Sequence, residues 1–267
     1  MDYLPESVVE NKPDDSRLPT ECMLLVDSSV SYSVEFYTQM KFILESMSVG
    51  YDFIDIRKTD IPDYGEYNTV VLCIPDFAVM GSKLQSLFNW VNDGGRLFLL
   101  CPIEPTTAVR TIIYQIGVVE MGGEYIPISG LKIKTDFMIG SKNFTFNWGI
   151  DAGLSAVTLR LSPDTIIHVV SDESIPLLWE RECGKGRVVV NHLSLSGKQS
   201  RGYYASAYSL LDDAFAYPVI NSSTIFIDDF PSPLPSGFNP YINKFNNRDT
   251  ESFFTNVWWP DMMSLAK

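Results

Sequence analysis

Between residues 22 and 102, short apolar runs alternate with stretches whose apolar residues recur at helical spacing, and few folds accept that pattern. "CMLLVD" (22–27), "YDFIDI" (51–56), "TVVLCIP" (69–75) and "RLFLLCP" (96–102) read as strands. Residues 33–48 place Phe36, Met40, Ile43, Leu44 and Met47 on one helical face. A second helix carries Leu84, Leu87, Phe88 and Val91 on one face, with Ser82 and Gln85 at the spacing of a capping box. It stops at "NDGG", where Gly94 or Gly95 can take the left-handed conformation that ends helices. "TTAVRTIIYQIG" (106–117) supplies a further helix. Strands that are apolar throughout, separated by amphipathic helices, require a parallel sheet covered on both faces.

Residues 118–192 have another rhythm. "LKIKTDF", "AVTLRL", "TIIHVV", "PLLWERE" and "RVVVNH" are short and partly alternating, and "ECGKGR" (182–187) is a glycine-containing turn between two of them. The expectation is antiparallel β structure extending the sheet. A long helix is expected from about 198 to 216, with Tyr204, Tyr208, Leu211 and Phe215 on one stripe. The fold class is therefore α/β: a doubly wound parallel sheet with an antiparallel β extension.

The same patterns divide the chain into three segments. Residues 1–20, acidic and proline-containing without periodicity, form a leader or linker; residues 21–219 form the α/β domain; residues 220–267 begin something new at "TIFIDDF". This last segment, with six Asn, five Pro and two adjacent Trp, is too short for an ordinary core of its own.

Composition narrows the partners. A formal charge of −13 without a Lys/Arg cluster argues against binding to a phosphate backbone, so no nucleic-acid partner is expected. No stretch reaches the ~18 apolar residues of a membrane span, and the first residues lack the pattern of an export signal. Either the protein is cytoplasmic, or the chain starts after a removed targeting segment. The four cysteines are widely separated and form no CxxC, which leaves zinc-knuckle and redox motifs without support. Nothing in the sequence specifies an oligomeric state.

Ligands of open parallel sheets sit beyond the carboxyl ends of the strands, where strand order reverses. The loops there would carry Asp27, Ser28, Asp76 and Glu104, a rim suited to a small polar ligand or, in bland terms, ordinary turn and cap residues. Nucleotide fingerprints are absent: "GKG" (184–186) lies between β segments rather than before a helix. Neither a GxSxG elbow nor an HExxH helix occurs. Only His168 and His192 are available as imidazole bases, the first inside a strand and the second just past one.

The "WVNDGGRLFLL" helix-to-strand step and the "GKGRVVV" turn resemble the class I glutamine-amidotransferase-like, flavodoxin-like folds. Those enzymes place a nucleophilic Cys at a strand-to-helix turn and a His two residues before a Glu. Here Cys73 lies within its strand, and His192 is followed by Leu193 and Ser194, so the resemblance is one of scaffold.

Asp228 and Asp229 in "TIFIDDFPSPLPSG" end an apolar run and precede three prolines. Adjacent strand side chains point to opposite faces, so both serve one site only where the backbone turns, as the prolines would make it do. "STIFIDDFPSPLPSGFNPYI" together with "NNRDTESFFTNVWWPDMMSLAK" resembles the opening of the NodB-type polysaccharide deacetylase barrel, in the variant that follows an amidotransferase-like domain, related to Pel-type exopolysaccharide deacetylases. Ile227 stands where that family has Phe. The resemblance implies that Asp228 is the catalytic base and Asp229 a ligand to a divalent metal such as zinc. It also implies a glycan substrate, an extracellular or cell-envelope location, and a first barrel helix over "FFTNVWWPDMMSLAK", with Trp258 and Trp259 packed at its start. The family's remaining ligands come from a later histidine motif that residues 1–267 do not contain, so this chain alone is expected to be inactive. The alternative is a complete non-catalytic carbohydrate-binding or protein-interaction module, with residues 220–267 as a packed arm. A small-molecule hydrolase using Asp27, Ser28 and Asp76 would lack an acid/base partner.

Overall fold

The computed structural model describes residues 20–149, 152–213 and 236–265. The chain divides into two compact units, Met1–Pro218 and Val219–Lys267.

Unit 1 opens with β1 (Thr20–Val26), α1 (Ser31–Ser46) and β2 (Gly50–Asp55), then β3 (Thr69–Cys73), α2 (Lys83–Asn92), β4 (Arg96–Leu99) and α3 (Thr107–Ile112). After α3 the chain is mainly β: β5 (Val118–Pro127), β6 (Gly130–Ile133), β7 (Thr145–Asn147), β8 (Ser155–Leu161), β9 (Ile166–Ser171), β10 (Pro176–Cys183) and β11 (Gly186–Asn191), closed by α4 (Arg201–Ser209). Nine strands form one sheet in the order β2-β1-β3-β4-β11-β10-β9-β6-β7. The first five run parallel, and from β11 onward each neighbour is antiparallel. The molecule is thus a mixed α/β protein with a large sheet whose parallel half reverses its strand order between β1 and β3.

The pleat explains why the inner parallel strands carry unbroken apolar runs. Successive side chains point to opposite faces, so Cys22, Leu24 and Val26 enter one core and Met23 and Leu25 the other. Phe36, Met40 and Leu44 of α1 and Tyr204 and Tyr208 of α4 cover the first face. Leu84, Leu87, Phe88 and Val91 of α2 and Val109 and Ile112 of α3 cover the second. Each fully buried aliphatic or aromatic side chain contributes about 1.5–3 kcal/mol, so this two-sided burial fixes the register of the sheet.

Local chemistry sets the element ends. Gly94, at φ 131°, terminates α2, and the Gly95 N–H returns to the Trp90 carbonyl. Gly184, at φ 62°, makes the β10–β11 hairpin turn close against Asn92, and the Lys185 N–H donates to the Asn92 carbonyl at 2.8 Å.

Several expectations are corrected. Ser82 adopts helical geometry without a side-chain capping bond; a 3-10 turn over Phe77–Met80, ended by Gly81 at φ 53°, precedes it. Of the helix expected from 198 to 216, the described part is a 3-10 turn over Lys198–Ser200 followed by α4, which ends at Ser209; Phe215, expected on its stripe, lies outside the described residues. β5 and β8 pair with each other in a separate two-stranded sheet rather than extending the large one. β11, expected among the antiparallel segments, lies parallel to β4 and is the fifth parallel strand.

Unit 2 is described from residue 236. Asn239 caps α5 (Pro240–Asn246) by accepting from the Tyr241 and Ile242 N–H groups, with Pro240 in the first turn where its missing N–H costs nothing. Asn247, left-handed at φ 51°, ends it. Asp249 caps α6 (Thr250–Phe253), which runs through a π-helical stretch (Phe254–Trp258) into α7 (Trp259–Leu265). Trp258 and Trp259 therefore sit at the π-to-α junction, well inside the helix rather than packed at its start. Phe238, Tyr241 and Phe245 are each more than 70% exposed.

Candidate functional site

The carboxyl ends of the parallel strands bring five loops to one rim. Asp27, directly after β1, is only 2% exposed. Its carboxylate pairs in bidentate fashion with Arg57, from Nε to Oδ1 at 2.8 Å and from Nη2 to Oδ2 at 2.6 Å, and Oδ1 also accepts from the Ser29 N–H and hydroxyl. The Arg57 hydrogen bonds hold its pKa below the ordinary carboxylate value. The Asp27 N–H donates to Ser33 Oγ, whose hydroxyl in turn donates to the Cys73 carbonyl, tying the first loop of α1 to the end of β3.

Asp55 plays the corresponding part at the end of β2. Its Oδ1 accepts from the backbone of Ser28 and Arg57, and Lys58 Nζ lies 3.0 Å from Oδ2. Burial would raise its pKa; hydrogen bonds from Ser28 and Lys58 overcome that and lower it to about 2. Asp27 and Ser28 are therefore engaged in an Asp27–Arg57–Asp55 network that closes the β1–β2 end of the rim. Sequence reasoning misses Asp55 and Arg57 as members of the rim. The available signal is an Asp at the end of "YDFIDI" matching the Asp at the end of "CMLLVD".

Asp76 caps the 3-10 turn after β3 by accepting from the Ala78 N–H at 3.0 Å. Glu104, in the loop after β4, has its pKa raised by burial and then by the Asp76 charge. The half-buried Tyr32 has its pKa raised by burial first, with Cys101 and Glu104 adding to it. The structure thus brings Asp76 and Glu104 into one electrostatic neighbourhood, apart from the Arg57 network that takes up Asp27 and Ser28.

At the end of β11, Asn191 donates to the Leu100 and Leu193 carbonyls and accepts from the Leu193 N–H, fastening β11 to the end of β4. His192 is 1% exposed. Its Nδ1 accepts from the Ile103 N–H at 3.2 Å and Nε2 donates to the Val157 carbonyl at 3.0 Å. Those partners select the neutral Nε2–H tautomer, and burial lowers the pKa to about 4. Both ring nitrogens are occupied by backbone, which leaves none for proton transfer.

All four cysteines are free and buried. Burial pushes the Cys22 thiol up to about 12 and raises Cys73 and Cys101 well above the ordinary value, the opposite of an activated nucleophile. His168 Nδ1 meets Thr135 Oγ1 at 2.6 Å in the antiparallel half, away from the strand ends. Among the described residues no three His, Cys, Asp or Glu side chains cluster to hold a metal ion. Asp228 and Asp229 lie outside the described residues. No described helix is long and apolar enough to cross a membrane.

Fold and rim together define a mixed α/β protein in which the parallel strand ends are cross-braced by buried ionic and backbone hydrogen bonds. The chain belongs to a family described as an uncharacterised protein conserved in bacteria (DUF2194), whose model matches residues 15–155 and 154–267. No curated protein matches it. Among solved structures it is similar to a ThuA-like protein from Bacteroides uniformis, at 10% identity and a TM-score of 0.52, covering 73% of this chain and 92% of that one. An exo-beta-1,4-mannosidase, Op5Man5, from Opitutaceae bacterium strain TAV5 matches at 13% identity and a TM-score of 0.51, over 73% of this chain. The chain spans 36% of the mannosidase's length. The cytoplasmic protein STM1381 from Salmonella typhimurium LT2 matches at 13% identity and a TM-score of 0.50, over 71% of this chain and 96% of that one. At these identities the likeness is one of fold.

Proposed function

We propose that unit 1 is a non-catalytic, amidotransferase-like accessory domain of a glycan-processing protein, and that the chemistry of the parent belongs to a polysaccharide deacetylase domain beginning at residue 220. The observation that carries the first half is the state of His192. A flavodoxin-like scaffold with both nitrogens of its strand-end imidazole bonded to backbone, and with its strand-end thiols buried and protonated, offers neither an imidazole base nor a thiol nucleophile. The second half rests on the resemblance of "TIFIDDFPSPLPSG" and the helix after it to a deacetylase opening, with Asp228 as base and Asp229 as metal ligand. The exposed Phe238, Tyr241 and Phe245 of unit 2 support it, because apolar surface of that kind is what a further packed layer covers.

The resemblance also implies a divalent metal such as zinc. The described residues do not fit one: they hold no cluster of three ligands, and His192 is buried between two backbone partners. The remaining ligands would come from residues after Lys267, and no step is assigned to a metal. A glycan partner and a location at or outside the cell envelope belong to the same proposal.

Acetate release from acetylated glycans by a chain extended beyond Lys267 tests it. The expected result is metal-dependent release that Asp228→Ala abolishes and His192→Gln leaves in place. No release, or full activity in Asp228→Ala, would sink the deacetylase reading.

A further inference from the structure

On the α4 face of the sheet a cleft of about 490 Å³ lies between the loop after β6, strands β10 and β11, and the end of α4. Its lining includes Phe137, Met138, Glu180, Arg187, Ser206 and Asp213. The volume falls within the range of small-ligand sites, roughly 300–1,000 Å³.

Glu180 is the unusual member. Its side chain is 13% exposed, and its Oε2 is enclosed without a hydrogen-bond partner among the described residues. Two cationic or potentially cationic groups lie near it, and neither hydrogen-bonds to it. Arg187 Nε stands 3.8 Å from Oε2, while the guanidinium's hydrogen bonds go to Asp213 Oδ1 at 2.7 Å and the Leu210 carbonyl at 3.0 Å. His168, 4% exposed, has Nε2 3.3 Å from Oε1, yet that nitrogen also lacks a hydrogen-bond partner; its ring packs on Phe137.

An enclosed carboxylate oxygen left without a hydrogen bond is unfavourable unless something supplies one. Of the three lining carboxylates, Asp213 is bonded to Arg187 and Asp212 to Arg96, which leaves Glu180 as the one with an enclosed oxygen lacking a hydrogen-bond partner among the described residues; a charge-assisted donor is the strongest match for it. Phe137 and Met138 provide an apolar wall beside the carboxylate, and the half-buried Ser206 provides a hydroxyl. An ammonium group on a ring with one apolar face and hydroxyl edges matches all three.

We infer that this cleft binds a glycan bearing free amino groups, with the ammonium on Glu180 and a sugar face on Phe137 and Met138. The sugar part rests on the proposed glycan-processing role, since removal of an N-acetyl group leaves such an amine. The ammonium part rests on the cleft alone.

The test is calorimetric titration of the 267-residue chain with a glucosamine tetrasaccharide, its fully N-acetylated counterpart, and spermidine. The glucosamine oligomer is expected to bind about tenfold or more tighter than either of the others. Glu180→Gln, which keeps the shape and removes the charge, should weaken it about tenfold or more, and Ser206→Tyr, which fills the cleft, should do the same. Equal affinity for the acetylated oligomer, or an unchanged affinity in both variants, would overturn the inference. Spermidine binding as tightly as the oligosaccharide would overturn the glycan assignment. Binding by the chain together with no acetate release from the extended protein would uphold the cleft and remove the deacetylase reading, so the two failures are distinguishable.

Discussion

The two halves of the large sheet treat buried polar groups in opposite ways. Where the strands run parallel, Asp27 is bonded by Arg57, Asp55 Oδ1 by backbone with Lys58 in an ion pair at its otherwise unbonded Oδ2, and His192 by Ile103 and Val157. Where they run antiparallel, His168 Nε2 and Glu180 Oε2 are enclosed without hydrogen bonds among the described residues, beside a cleft. A matched group holds the fold, whereas an unmatched one awaits a ligand or solvent. At the β1–β2 end the rim of the parallel sheet is taken up by structural bonds, while the enclosed, unbonded Glu180 oxygen lies beside the cleft of the antiparallel extension.

That contrast predicts unequal mutational costs. His192→Ala removes a buried ring and strands an N–H and a carbonyl, so urea denaturation should show a loss of about 4 kcal/mol. Asp27→Ala leaves Arg57, which keeps access to solvent, without its partner; the expected loss in the same assay is about 2 kcal/mol. Glu180→Gln, at a carboxylate that receives no hydrogen bond among the described residues, should change stability by less than about 1 kcal/mol. A large loss at Glu180 together with a small one at His192 would reverse the assignment of the two halves.

Acid stability sharpens the comparison. Burial lowers the folded-state pKa of His192 from 6.5 to about 4, so the unfolded chain takes up a proton that the folded chain refuses. Its contribution is therefore complete above pH 6.5 and is lost as the pH falls toward 4, with a slope of at most about 1.4 kcal/mol per pH unit. Asp55, depressed from 3.8 to about 2, adds its own loss only below that window. Denaturation across this range should show the first slope in the parent and not in His192→Gln. The smallest effect is expected at the exposed Arg160–Glu120 pair of the separate β5–β8 sheet, where Arg160→Ala should cost no more than about 0.5 kcal/mol.

Much of the parallel half is legible because burial on both faces writes itself into the chain: "CMLLV", "VVLC" and "LFLL" are apolar at every residue. The facing helices are legible by their 3.6-residue periodicity. Alternating segments carry less information, since an in/out pattern reads alike whichever sheet a strand joins, and nothing in β5 or β8 marks them as a sheet of their own. The early end of α4 is hidden by apolar residues that continue the helical stripe through Leu211. At the rim, Asp27, Ser28, Asp76 and Glu104 are readable as neighbours from the strand ends alone. Which of them meet depends on strand order, and placing β2 beside β1 delivers Arg57 and Asp55 to Asp27. The cleft is invisible in the sequence for the same reason: Phe137, the Glu180–Arg187 hairpin and Ser206 are far apart along the chain and meet only in the folded sheet and its covering helix.

The chain has only two histidines, one in each half, so a single spectroscopic experiment addresses the contrast directly. Long-range nitrogen–proton spectra of both imidazoles should be recorded as the pH is lowered from neutrality and again with the glucosamine tetrasaccharide added. The account predicts that His192 stays a neutral Nε2–H tautomer down to about pH 5 and ignores the sugar, while the His168 signals move on addition and cease to move in Glu180→Gln. A His192 ring that titrates near its ordinary value, or that shifts with the ligand while His168 stays silent, would contradict it.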